Sequence, residues 1–469
     1  MKLTKSNWIV FLIVALIFAA IEFRGLFIVA PGDENVYFYM AKSVADGQLP
    51  YRNFFLAHPP LQIIILAVII KIFGVNFVIF KSAELISLII ASFLLYKTSL
   101  GVFKDHFNDA NANLISFLSL VLFLFSFEIM FKATFALGIN LSLMLTMAGF
   151  YLIFTKRYFI GGIFAGLAGL ARFYALVPMI AVFLFVFIKK SIEKKPRDFL
   201  YMIAGFLLIF GSAIAIITIV FGHYFTDDVV KYHFLKPMLP NQRSIVYQHI
   251  ITEDWVVIAS FLSSIFIKNK KRFQIFYFVI FGYLAFLLVL NVPAEFYFSI
   301  AFPFMAIIGG YSVVELIRKI SFPKPIKILI IFILISIFLW NLLPDIVFLE
   351  KFGFLEFQPL GQMANIVSTT KPSQNLFGDD GTVPLLALLT NKSIALNYID
   401  SNEMRFTSGL SNFYIFEGEL NKANLSYIIY RKGRGLHQIL QFRQYAESRC
   451  KPYREFFDAT TGYFLVYWC

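Results

Sequence analysis

The stretch 8-WIVFLIVALIFAAIEFRGLFIVAPGDENVYFYM-40 decides how this chain must be read. Residues 8–28 are apolar apart from Glu22 and Arg24, and about 20 such residues cross the hydrocarbon core of a bilayer. The segment is too long for a signal peptide and carries no small-residue cleavage site before Glu22-Phe23-Arg24, so it reads as a retained first span. A Pro31-Gly32 turn then breaks the run and throws Asp33-Glu34 out at the water boundary. Residues 35–46 follow as a polar-aromatic helix with Tyr37, Phe38 and Tyr39, rings that favour the headgroup level.

The rest of the chain agrees with a membrane reading. Of 469 residues, 59% are hydrophobic, 18% aromatic and only 15% charged, with a mean hydropathy of +0.75. A soluble domain carries about 45–50% apolar and about 25% charged residues, so a water-soluble multidomain enzyme is excluded, and disorder with it. The net charge of +13 resembles a nucleic-acid signal until it is located. Residues 344–469 hold 12 Lys/Arg and 12 Asp/Glu; the whole excess, 29 basic against 16 acidic residues, lies in 1–343 between apolar segments. There it reads as membrane topology, and no nucleic-acid partner is expected.

Apolar runs at 8–28, 77–97, 112–128, 134–154, 198–221, 273–291, 297–316 and 326–343 predict spanning helices, with shorter runs at 158–171, 174–188 and 255–267. Eleven spans put the two chain ends on opposite sides. The loops on the N-terminal side hold Lys2, Lys5, Lys97, Lys104, Lys156, Arg157, 189-KKSIEKKPR-197, 268-KNKKR-272 and 318-RKISFPKPIK-327, 19 basic residues; the opposite loops hold nine. That asymmetry predicts a multi-pass cell-membrane protein with a cytoplasmic N-terminus and an extracytoplasmic tail. Two outer loops are large, 24–76 and 222–254 with Pro237 and Pro240, and long loops in compact folds tend to be functional. The run 60-PLQIIILAVIIKIFG-74 is too short to cross and is expected along the outer interface.

The chain divides by composition into a transmembrane domain, 1–343, and a tail, 344–469. The tail predicts a helix over 358–372 ended by Pro372, a strand 374–378, an acidic turn 379-DDG-381, a helix from Pro384 and a strand 393–399. Strand 425–431, helix 436–448 and a terminal pair 453–457 and 463–468 complete an α/β pattern. The only cysteines, Cys450 and Cys469, flank that pair. An oxidising compartment permits a bridge; two unpaired thiols are the alternative.

Chemistry concentrates in 31-PGDENVYFYMAKSVADGQLPYRNFFLAHPP-60. Asp33 has two readings, which are compatible. It caps a helix starting at Glu34, or it is a rigidly mounted carboxylate serving as a general base. His58, before Pro59-Pro60, is an interfacial ring, or a group that binds a cation with Glu34 or donates to a phosphate. Arg172 lies between two apolar runs, where a guanidinium is costly and usually faces a cavity or partner; the alternatives are a phosphate contact and snorkelling to the headgroups. Lys231, His233, Lys236 and Arg243 form an electropositive pocket or simply a solvated loop, and Glu295 and Tyr297 carry still less signal.

Asp-Glu after the first span, the aromatic helix, Gly47, Tyr51, His58-Pro59-Pro60-Leu61 and the run ending Phe73-Gly74 resemble the protein O-mannosyltransferases and their prokaryotic relatives, glycosyltransferase family 39 of the GT-C superfamily, to which the aminoarabinose transferases are related. The segments 161-GGIFAGLAGLAR-172, 295-EFYFSIAFPFMAIIGG-310 and 374-QNLFGDDGTVPLLALLTNKSIALNYID-400 extend the resemblance along the chain. It implies a GT-C-like polytopic helical protein with outer interfacial helices and an extracytoplasmic α/β domain. It implies inverting transfer of a sugar from a polyprenyl-phosphate donor to an acceptor hydroxyl on a protein, lipid or glycan. Asp33 would be the base with Glu34 beside it, and Arg172, His58, Lys231 and His233 would serve the donor phosphate. No nucleotide cofactor is expected, since the phosphate loops are absent; a divalent cation is left open, with Glu34 and His58 as ligands. One departure is that 134-TFALGIN-140 lacks the acidic residue relatives often carry there. The alternative function is a transporter or flippase of a lipid-linked or anionic solute, which would place charges deep in the spans.

Overall fold

The computed structural model describes residues 4–104, 107–237, 241–267, 273–319, 323–354, 357, 359–371 and 373–469. Lys2, Pro240, the basic loop 268–272, residues 320–322 of the last basic loop and Pro372 lie outside the described residues. Apolar runs become helices because hydrocarbon offers the backbone no partner but itself. Helices occupy each of the eleven expected stretches. Five are long and apolar enough to cross a membrane: Lys5–Phe27, Phe77–Lys104, Phe173–Ile192, Pro196–Phe221 and Ile331–Phe348. A sixth arises if Gln242–Glu253 and Trp255–Phe266, bent by 80°, form one broken span. The helices Asp109–Leu124, Ile139–Phe154, Tyr158–Ala171 and Gln274–Val289 are apolar but shorter. The protein is a multi-pass membrane protein.

Three expected spans start or stop elsewhere. The run 112–128 ends at Leu124, and Phe127–Phe131 forms a separate short helix that starts after Ser126. The run 134–154 is helical only from Ile139, because Gly138 takes φ 71°, a left-handed conformation no helix interior accepts. The segment 297–316 opens as a 3₁₀ turn, Glu295–Ile300, before the helix Phe302–Lys319. The large loop 222–254 is itself mostly helical.

The chain forms two compact units. The first comprises Met1–Leu26, Lys81–Ile214 and Leu239–Phe352; the second comprises Phe27–Phe80, Ala215–Met238 and Gly353–Cys469. In the first, the glycine-rich helix Tyr158–Ala171 lies backbone to backbone on Pro196–Phe206. A Cβ on Gly162 would fall 2.0 Å from the Met202 carbonyl oxygen, and one on Gly205 2.0 Å from that of Phe159. Small residues let membrane helices approach this closely, which gives the glycines of 161–169 a packing role.

The second unit gathers the outer-loop helices Asp33–Ala45 and Leu61–Phe73 with the C-terminal domain. Leu61–Phe73 spans about 20 Å at 1.5 Å per residue, short of the ~30 Å hydrocarbon core, and Gly74 ends it at φ 72°. The C-terminal domain carries a five-stranded sheet in the order β2-β1-β3-β5-β4, with β1 Asn375–Gly378, β2 Ser393–Ile394, β3 Leu425–Arg431, β4 Lys451–Asp458 and β5 Gly462–Trp468. β1 runs parallel to β2 and β3, and β5 antiparallel to β3 and β4. The expected strand 393–399 stops at Ile394, where Leu396 and Asn397 turn left-handed. Phe377, Phe416, Ile428, Tyr430 and Phe442 fill the core on one side of the sheet. Cys450 and Cys469 are bridged, with Cα atoms 4.4 Å apart across 19 residues, a closure worth about 3 kcal/mol on chain entropy.

Candidate functional site

The helix Asp33–Ala45 begins one residue earlier than expected. Extended Gly32 occupies the cap position, so Asp33 stands exposed in the first helical turn rather than capping it. The helix dipole favours a carboxylate there by about 0.3–1 kcal/mol. Glu34 is buried, at 9% exposure; the two acids thus differ in access, and Asp33 is the one open to a substrate.

The rest of the loop is fastened to the second outer segment inside the same unit. Tyr51 adopts φ 66°, its ring packed edge-on against Phe221 and Phe225, and its hydroxyl donates to the His58 carbonyl at 2.8 Å. The Leu56 N–H donates to Asp228 Oδ2 at 3.0 Å, and His233 Nε2 lies 2.9 Å from the Ala57 carbonyl oxygen. The His58 and His233 rings are 5.4 Å apart, and Tyr37 lies 6.1 Å from His58. Asp33, Glu34, His58, Lys231 and His233 therefore share one unit. Lys231 is exposed and paired with Asp227 at 2.5 Å. Lys236, from the same loop, has Asp400 and Asp33 as charge neighbours; burial holds its ammonium below the usual range against both.

The C-terminal domain supplies residues that the sequence reading did not single out. Asp380 is pushed well above the ordinary carboxylate range by burial, then by Asp379, Asp33, Asp400 and Glu403. Asp400 is raised by burial against the pull of Arg405, whose guanidinium is sandwiched 4.1 Å from the Phe55 ring and 4.0 Å from Tyr398. Asp228, in the loop 222–254 rather than the C-terminal domain, is raised to about 7 by burial, opposed by the Leu56 N–H and Arg405. The acidic turn 379-DDG-381 was the visible signal; its spatial neighbours were not.

Arg172 belongs to the first unit. It is buried at 3% exposure at the junction of Tyr158–Ala171 and the turn Phe173–Ala175, and Glu84 is its charge neighbour. Glu84 Oε1 accepts the Gly138 N–H at 3.1 Å, and the Asn140 and Leu141 amides also reach this carboxylate. Snorkelling is overturned by that burial. An acid does lie close in sequence to the 134–140 segment: Glu128, buried at 1% exposure, whose N–H donates to Asp254 Oδ1 at 3.4 Å. The reading of 112–128 as one continuous span hid it. Among the described residues no group of three or more His, Cys, Asp or Glu is arranged to hold a metal ion.

No protein-family profile matches the chain, and no curated protein matches it in sequence. Solved structures do match its fold. ArnT from Cupriavidus metallidurans bound to undecaprenyl phosphate superposes with a TM-score of 0.65 at 10% identity, over 99% of this chain and 98% of that one. The same protein in the apo state gives 0.64 at 12% identity over 98% of each. The chain shares the ArnT fold over nearly its whole length, with the C-terminal domain included.

Proposed function

We propose that this protein transfers a sugar, with inversion, from a polyprenyl-phosphate donor to an acceptor hydroxyl at the outer membrane face. One observation carries the reading: the fold is shared over nearly the whole length with a protein captured holding undecaprenyl phosphate. The transporter alternative is not favoured by that likeness. Within the fold, exposed Asp33 takes the acceptor hydroxyl proton. The oxygen lone pair forms the new bond to the anomeric carbon as the bond from that carbon to the phosphate oxygen breaks. The polyprenyl phosphate leaves with the electron pair, and cations stabilise its charge. Arg172, His58, His233 and Lys231 are assigned to that task, and Lys236 joins them as the ammonium beside Asp33. The donor sugar is a hexose or pentose, the acceptor a protein, lipid or glycan, and residues 1–343 form the catalytic domain. The tail 344–469 belongs, on this reading, outside the cytoplasm; the Cys450–Cys469 bridge supports it, since disulfides persist in oxidising compartments.

The test is Asp33→Asn in nanodiscs supplied with undecaprenyl-phosphate hexoses and pentoses, following release of undecaprenyl phosphate. Asn keeps the shape and removes the proton acceptor, so turnover falls about 10²–10⁴-fold with donor binding kept. Near-normal turnover makes Asp33 a helix-start residue only and moves the base to Glu34, Asp227 or Asp228. Solute flux in proteoliposomes without donor cleavage favours the transporter.

A further inference from the structure

The turn that launches Asp33 is not held by its own helix alone. Asn35, 1% exposed, directs Nδ2 at three carbonyl oxygens: Ala30 at 2.9 Å, Gly32 at 3.1 Å and Gly381 at 3.1 Å. The Gly32 N–H reaches the same Gly381 oxygen at 3.4 Å. Ala30 and Gly32 belong to the turn before the base; Gly381 belongs to the C-terminal domain, 346 residues from Asn35.

That domain holds its side of the contact rigidly. Asp379 Oδ2 accepts from the Thr382 N–H at 3.0 Å, the Thr382 hydroxyl at 2.6 Å and Arg431 Nη2 at 3.2 Å. The Asp379 N–H donates to the Ile429 carbonyl at 2.7 Å, so the turn is fixed to β3. Gly381 has no room for a side chain. A Cβ there would lie 2.9 Å from the Gly32 nitrogen, 3.2 Å from Arg431 Nη2 and 3.3 Å from the Gly32 Cα. Farther along the same helix the Tyr39 hydroxyl donates to the Lys392 carbonyl at 3.2 Å and accepts the Ile394 N–H at 3.3 Å.

We propose that the Asp379–Gly381 turn is a positioning element for the transfer reaction, fixing Asp33 through Asn35 and Gly32. The inference rests on Asp33 being the base. Asp33 sits between the two anchored residues, so a displaced Gly32 or a loosened Asn35 moves its carboxylate, and a misplacement of about 1 Å costs about 10²-fold in rate. The C-terminal domain is then part of the catalytic machinery rather than an appended module.

The test uses the full chain in nanodiscs with undecaprenyl-phosphate sugar donors. Gly381→Ala, Asn35→Ala and Arg431→Gln are compared with Gly418→Ala, a control in the same domain where a Cβ meets nothing within 4 Å. Gly381→Ala and Asn35→Ala should lower kcat about 10–100-fold with KM little changed, while amide exchange at residues 32–36 quickens. Arg431→Gln, the mildest change, should show the same pattern more weakly, and Gly418→Ala should show none of it. Adding Gly381→Ala to Asp33→Asn should lower kcat no further, because the base it positions is gone. Unchanged kcat in all three variants, with Asp33→Asn inactive, overturns the positioning role and leaves the base assignment standing. A raised KM at normal kcat overturns it too, as a donor-docking effect. An active Asp33→Asn removes the base assignment, and the positioning role with it.

Discussion

Replacing Glu84 by Gln tests the buried charge pair of the first unit. Glu84 is 4% exposed and Arg172 3%, so neither charge is screened by water. The carboxylate has two neighbours: the charge of Arg172, and the start of the helix Ile139–Phe154, whose first residues have no side-chain cap of their own. Gln keeps an acceptor oxygen for the Gly138, Asn140 and Leu141 amides, so the cap, worth about 1 kcal/mol, largely survives. What is lost is the charge, and leaving one partner of a buried pair uncompensated costs about 3–5 kcal/mol. Arg172→Met should be costly for the same reason, whereas the double variant, neutral on both sides, should recover most of the loss. The expected coupling approaches about 3 kcal/mol, the upper range for contacting residues. Equilibrium unfolding in detergent micelles measures the cycle, and a coupling below about 0.5 kcal/mol refutes the pair. The double variant also isolates the donor role of Arg172. If it is stable but no longer stabilised by added undecaprenyl phosphate, the guanidinium contacts the lipid phosphate; full ligand stabilisation removes Arg172 from the donor site.

Two further outcomes are expected. Asp228 has its folded pKa raised from 3.8 to about 7 by burial, so between those values the folded state holds the extra proton and stability falls as pH rises. Asp228→Asn keeps an acceptor for the Leu56 N–H and should flatten that part of a Tm-against-pH curve while stabilising the protein at pH 8; an unchanged slope between pH 4 and 7 would contradict the assignment. A reporter fused at residue 350 should be active only when the reporter is one that works outside the cytoplasm; activity of a cytoplasmic reporter there reverses the orientation.

The membrane architecture was legible because its causes are local. Each apolar run must satisfy its backbone within its own segment, so run length and composition suffice to place helices. The strand pattern of 425–431 and 463–468 was readable for a similar reason: β-branched and aromatic runs were bounded by turn residues. Asp33-Glu34 and His58-Pro59-Pro60 stood out because a turn and a proline pair isolate them beside apolar segments. The same local logic erred where a distant partner decided the backbone. Gly138 starts the expected span late, and Glu84, 54 residues away, meets its freed amide. Ile394 ends a strand where the chain turns left-handed.

The sequence by itself determined the class of molecule and singled out the residues of its first outer loop. It could not determine which charges share a neighbourhood. Lys236 and Arg431 have Asp33 as a charge neighbour, Arg172 has Glu84, and Asp380, Asp400 and Gly381 share a unit with the loop from more than 300 residues away. Such contacts carry no periodicity or spacing, because side-chain neighbours across a fold are chosen by packing and by the need to satisfy buried donors and acceptors. Only the tertiary structure shows that Asn35, one more polar residue in 33-DENVYFYM-40 when read along the chain, ties the turn before Asp33 to the C-terminal domain.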